Sequence, residues 1–252
     1  PATWPEVGAL AQENTDYALD AAGNCTVYTA RGLAWLANTV NAGDDFTGKT
    51  VTLANDIDLL DGGVYGYGAS TVISRNSWVP IDDFGGTFDG GCHSISNLYL
   101  SVADRDAGLF GNSYGTIRDL EIASGSVALN KLTKSGLRAG GIAANSSGLI
   151  ENCVNRADVC ASDDDSIYGS FNDLYLGGIV GLVSTSGAGA MASSVSNCTN
   201  YGSVASLGSS TACSISAGGI AGYLFSGWTV GHSALITGCV NRGEIKAPNN
   251  PY

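Results

Sequence analysis

The sequence predicts an all-β fold: a parallel β-helix solenoid with a short helical cap at its N-terminus. Three observations carry this. The second half repeats at intervals of 33 to 41 residues, residue types suited to tight corners recur inside each repeat, and the composition is poor in charge and rich in glycine. Only 13% of the 252 residues are charged, where an ordinary soluble domain has about 25%. A helical protein needs far more Glu, Lys and Arg on its exposed faces. Each of the 36 glycines would cost about 1 kcal/mol in a helix interior. An all-α fold is excluded, while an apolar share of 44% suffices for a sizeable core.

The repeat consists of three blocks. Four segments start alike, at Gly108-Leu109, Gly141-Ile142, Gly178-Ile179 and Gly219-Ile220. Each leads to a second block with apolar residues three apart: Ile117/Leu120, Ile150/Cys153, Val195/Cys198 and Ile236/Cys239. A plain strand alternates every two residues, so the spacing of three implies a corner between them. The residues before the second apolar position are Asp119, Asn152, Asn197 and Gly238, types that accept a left-handed backbone at low cost. The third blocks begin at Gly125, Ala157, Gly202 and Gly243, and the glycines there suggest a second bend. Short strands joined by such corners give a coil of about three strands that buries its apolar face only against neighbouring coils.

The remaining elements follow in order. Leu33, Leu36, Ala37 and Val40 fall on one helical face, with Thr29 as the N-cap. Residues 1–45 are expected to form a cap over an open sheet edge. Residues 46–106 form the first coils and 107–252 the four clear repeats, in one continuous domain. Neither terminus reads as a natural boundary, so the chain is expected to be a segment of a longer protein.

These blocks resemble the GLUG-motif repeats of bacterial surface proteins, including adhesin-like proteins and the non-catalytic repeat region of immunoglobulin A-specific metallopeptidases. The resemblance extends to the lead-in helix from Val27 to Ala37, the strands Phe46–Leu53 and Asn55–Leu59, and the segment Gly86–Leu98, where Cys92 departs from the usual polar residue. It implies a right-handed parallel β-helix at the cell surface and no particular reaction.

A net charge of −12 without any Lys/Arg run excludes a nucleic-acid footprint, and no apolar stretch approaches the roughly 18 residues needed for a spanning helix. No His-Glu-x-x-His or Gly-x-Ser-x-Gly motif is present, so this segment offers neither metallopeptidase nor serine-hydrolase chemistry. His93 reads as a turn residue, and His232 has no obvious partner. Cys153, Cys198 and Cys239 share one repeat position and should stack as buried thiols about 4.8 Å apart, too far for disulfides. A disulfide among Cys25, Cys92, Cys160 and Cys213 remains open. The carboxylates Asp82, Asp83, Asp89 and the pair Asp56/Asp58 read as solvated acids. The loop triplet Asp163, Asp164 and Asp165 is the candidate calcium site, because calcium takes six to eight oxygens; no other cofactor is expected. A column on successive coils, Arg156, Tyr201 and Arg242, is the candidate binding stripe, since Arg and Tyr grip carboxylates and stack on sugars. The leading functional expectation is a non-catalytic extracellular adhesion or display module whose loops meet a host glycan or extracellular protein. The alternatives are a polysaccharide lyase or glycosidase built on surface carboxylates, and a passive stalk.

Overall fold

The computed structural model describes residues 3–60, 77–103, 106–130, 136–162, 172–185, 192–207, 213–227 and 233–246. Within each repeat the strands are short because the sequence interrupts them at regular places. In the repeat running from 137 to 162 they are Leu137–Gly140, Ala143–Ser146, Leu149–Glu151, Val154–Asn155 and Asp158–Ser162. Each pairs in parallel with the equivalent strand of the following repeat, as in Leu137↔Leu174, Ala143↔Val180, Ile150↔Val195, Val154↔Thr199 and Val159↔Val204. The stacks form five sheets of eight, six, five, three and four strands.

This corrects the expected single right-handed parallel β-helix of about three strands per coil. The described strands fall into five mostly parallel sheets, and the eight-stranded sheet opens with an antiparallel pair, Tyr17–Leu19 against Cys25–Val27. There are two described helices, α1 (Trp4–Gly8) and α2 (Ala30–Asn41), where one was expected. The extra strands arise at turns that the sequence does not announce by left-handed residue types. Gly140, Gly177 and Gly218 each end a strand where a Cβ would overlap the carbonyl three residues on, at Ala143, Val180 and Ala221. Only glycine permits so close a reversal, and it separates strands such as Leu137–Gly140 and Ala143–Ser146.

The corners inside the second blocks do take the left-handed conformation, with φ of 51° at Asp119, 54° at Asn152, 53° at Asn197 and 62° at Gly238. They keep Ile117 and Leu120, Ile150 and Cys153, and Val195 and Cys198 all buried. The second bend has a different cause from the one expected. Gly125 has a positive φ, but Gly202 and Gly243 do not; at these two a Cβ would strike the carbonyls of Ala157 and Gly202 in the neighbouring repeat.

Inward residues align into columns. One runs Cys25, Val51, Phe88, Ile117, Ile150, Val195 and Ile236 across seven paired strands. Beside its middle, Phe84, Phe88 and Phe110 meet with ring centroids 5.2 to 6.4 Å apart. Helix α2 begins where the Thr29 hydroxyl accepts the Gly32 N–H at 3.3 Å and buries Leu33, Leu36, Ala37 and Val40. Burying a Leu side chain is worth about 2 kcal/mol, so this face fixes how the helix lies. Its last residue, Asn41, donates to the Pro80 carbonyl at 3.0 Å and accepts from the Asp82 N–H at 2.8 Å. Helix α1 is tied to α2 by Asn38, which donates to the Pro5 carbonyl at 2.9 Å.

Candidate functional site

The outward stripe is positioned by what lies directly behind it. Asn155, Asn200 and Asn241 close the fourth strand of three successive repeats and pair in register. Asn155 and Asn200 are fully buried. Each Nδ2 donates to the Oδ1 of the next asparagine, at 2.9 Å from Asn155 to Asn200 and 2.9 Å from Asn200 to Asn241. It also donates to a carbonyl two residues on, of Ala157, Gly202 and Gly243 respectively, each at 2.8 Å. A buried amide is tolerable only when its groups are bonded, and this ladder bonds them along the stack. It also explains the Gly-Ile starts: at Gly141, Gly178 and Gly219 a Cβ would overlap the amide of Asn155, Asn200 and Asn241.

The thiols form a second ladder. The Cys153 N–H meets the Cys198 sulfur at 3.4 Å and the Cys198 N–H meets the Cys239 sulfur at 3.4 Å. All six cysteines with described side chains are free, including Cys25, Cys92 and Cys160; the Cys213 side chain lies outside the described residues. The hydrogen bond with Cys198, together with burial, pushes the Cys153 thiol well up, and burial pushes Cys25 up to about 12.

One residue beyond the asparagines the chain turns outward, placing Arg156, Tyr201 and Arg242 at equivalent exposed positions. Their N–H groups donate to the carbonyls of Ile122, Asn155 and Asn200 in the preceding repeats, at 2.8, 2.7 and 2.7 Å. The Arg156 guanidinium carbon sits 4.2 Å from the Tyr201 ring centroid, a cation–π distance. Arg156 Nε also donates to Glu121 Oε1 at 2.6 Å, and that bond raises the Arg156 pKa. Glu121 was not anticipated, although its place in the second block, two before the position that becomes Arg156 one repeat later, would have located it. Arg242 makes no ion pair among the described residues.

Long-range packing also assembles something that sequence spacing conceals. A cleft of about 680 Å³ lies between the end of α2, the loop after it and the strand Phe110–Ser113, and Asp45, Asp82, Asp83 and Asp106 line it together with Asn112 and Tyr114. Asp82 Oδ1 accepts from the Asn112 N–H at 2.8 Å and its Nδ2 at 2.9 Å. The Tyr114 hydroxyl donates to Asp45 at 2.5 Å, which holds the Asp45 carboxyl below its usual range and raises Tyr114. Burial pushes the Asp106 carboxyl up, against the opposing pull of Arg138 at 3.1 Å.

Asp163, Asp164 and Asp165 lie outside the described residues, as does His232. Among the described residues no three His, Cys, Asp or Glu side chains converge to hold a metal ion. The other acids that sequence singled out serve turns and ion pairs instead. Asp56 accepts the Ser94 N–H, Asp58 the Leu60 N–H and Asn97 amide, and Asp89 pairs with Arg118 at 2.8 Å. His93 stands 3.4 Å from Asp56, and its N–H closes a turn onto the Gly90 carbonyl.

No protein-family model matches the chain, and no curated protein matches it. Among solved structures the chain is similar to the crystal structure of a putative immunoglobulin A1 protease from Bacteroides ovatus. The likeness has 16% identity and a TM-score of 0.48, and covers 92% of this chain and 79% of that one.

Proposed function

We propose that this chain is a non-catalytic display module of a bacterial surface protein, on which recognition is carried by outward residues and loops. The observation that carries the reading is a contrast between inside and outside. Interior columns repeat one residue type, as in Asn155/Asn200/Asn241 and Cys153/Cys198/Cys239, held by bonds from repeat to repeat. Across the same three repeats the outward column immediately beside them changes from one repeat to the next, reading Arg156, Tyr201 and Arg242. A scaffold that fixes its interior while varying adjacent surface positions is how repeat folds present binding surfaces. The GLUG-motif resemblance of the repeat blocks supports an extracellular setting. The test is binding of the purified chain to an array of host glycans and matrix proteins, with calcium and with chelator. Specific, saturable binding is expected. Silence across the array overturns the reading in favour of a stalk, and calcium-dependent binding directs attention to Asp163, Asp164 and Asp165.

A second reading rests on the acidic cleft. Asp106, raised by burial, shares the cleft with Asp45, Asp82 and Asp83, and a raised carboxyl of this kind suits the general-acid role in glycoside cleavage. Release of new reducing ends from acidic or neutral polysaccharides, abolished by Asp106→Asn, would favour it.

A further inference from the structure

We infer that Tyr201 and Arg242 form a binding site for a saccharide bearing an isolated carboxylate, of the uronic or sialic acid kind. The inference rests on the display reading and names the ligand class and the residues. It starts from the difference between two equivalent arginines. Arg156 is satisfied: Glu121, on the preceding repeat, accepts its Nε at 2.6 Å. The register sets Glu121 opposite Val154, Val154 opposite Thr199, and Thr199 opposite Val240. The residue standing to Arg242 as Glu121 stands to Arg156 is therefore Thr199. The slot that holds a carboxylate for one arginine holds a hydroxyl-bearing side chain for the other. Arg242 is exposed and has no ion pair among the described residues. A guanidinium fork donates N–H groups side by side to the two oxygens of a carboxylate, so an incoming carboxylate at Arg242 takes the part that Glu121 plays at Arg156.

Tyr201 supplies the second half. It occupies the same position one repeat earlier, with its backbone about 4.8 Å from that of Arg242, and is 42% exposed. The Arg156 guanidinium over its ring holds the ring in place, so little side-chain freedom is lost when a ligand arrives. The ring face away from Arg156, beside a guanidinium with no ion pair among the described residues, matches a pyranose whose ring carbon carries a carboxylate. The net charge of −12 narrows the class further. Its field opposes a densely sulfated polyanion, whereas a single carboxylate engages Arg242 within the roughly 8 Å over which physiological salt leaves charges unscreened.

The test titrates the 252-residue chain with sialyllactose, with lactose as the uncharged comparison and an acidic peptide as the non-saccharide comparison. Sialyllactose should bind, lactose and the peptide at least about tenfold more weakly. Arg242→Ala and Tyr201→Ala should each weaken binding about tenfold or more, Arg242→Lys by less, and Arg156→Ala by less than Arg242→Ala. Thr199→Glu is the decisive variant. It supplies Arg242 with an internal carboxylate, as Glu121 does for Arg156, and should abolish binding without a loss of thermal stability. Equal binding of lactose or of the peptide, or unchanged affinity in Arg242→Ala and Thr199→Glu, overturns the inference. If the array reveals another ligand whose binding these variants leave untouched, the display reading stands and this site falls; if nothing binds at all, both fall.

Discussion

Replacing Asn200 with alanine tests whether the amide ladder holds the repeats together. The side chain is fully buried and makes three hydrogen bonds of 2.8 to 2.9 Å, with Asn155, Asn241 and the Gly202 carbonyl. A typical intramolecular hydrogen bond contributes about 1 kcal/mol net, and a buried group left without a partner costs about 1–3 kcal/mol. The groups stranded in the alanine variant differ. Asn241 is exposed and regains water, whereas buried Asn155 keeps its bond to the Ala157 carbonyl at 2.8 Å but loses the acceptor of its other amide N–H. The carbonyl of buried Gly202 loses the Asn200 donor. One bond lost to an exposed partner, at about 1 kcal/mol, and two whose loss strands a buried group, at about 1–3 kcal/mol each, amount to about 3–7 kcal/mol. Asn241→Ala, at the exposed end of the ladder, should cost under about 1 kcal/mol. The assay is urea unfolding of both variants and the parent, with the slope checked for constancy so that midpoint shifts report stability. An Asn200→Ala cost below about 1.5 kcal/mol, or one equal to that of Asn241→Ala, would refute a structural role for the ladder.

Three further outcomes are expected. At Asn197, with φ of 53°, substitution by Val should destabilise by about 1–2 kcal/mol and by Gly hardly at all, as read by thermal unfolding; equal losses would mean that the corner is not strained. In the Asp45–Tyr114 pair, the Asp45 carboxyl lies below its ordinary 3.8 in the folded chain, so its contribution is present above that pH and lost as pH falls through the lower folded value. The Tyr114 hydroxyl lies above its ordinary 10.0, so its contribution is present below pH 10 and lost as pH rises through the raised value. Tyr114→Phe should therefore flatten both ends of the stability profile, by under about 1 kcal/mol because both groups are open to solvent; unchanged acid and alkaline limbs would disprove the linkage. For the thiols, exposed Cys92 should react with a disulfide reagent in the folded chain at pH 8, and Cys92→Ser should remove one rapid equivalent. Cys25, buried and pushed up to about 12, should react only after denaturation, and its labelling at the Cys92 rate would contradict its burial.

The corners were legible in sequence because a left-handed backbone restricts residue choice at a single position, as at Asp119, Asn152, Asn197 and Gly238. Helix α2 was legible through its Thr29 cap and apolar face. The number of sheets was not. The turns at Gly140, Gly177 and Gly218 are set by contact with a carbonyl three residues on, and a glycine required for close approach looks the same in sequence as one in a loop. The asparagine ladder was hidden for a related reason: Asn155 and Asn200 read as polar block ends, and only the partner one repeat away makes their burial affordable. The cleft draws Asp45, Asp82 and Asp106 from separate segments, so no local spacing marks it.

The asparagine ladder has a consequence for how such a chain can change length. The central amide, Asn200, offers its oxygen to Asn155 and its nitrogen to Asn241, so a rung of this kind presents complementary faces up and down. A duplicated repeat carrying the asparagine and its matching glycine can enter the stack and find both partners already waiting. A fragment of a repeat breaks the chain of amides and strands buried groups on either side. Gene duplication in whole units is thereby tolerated, and copy number becomes a variable that can drift while the polar interior stays satisfied.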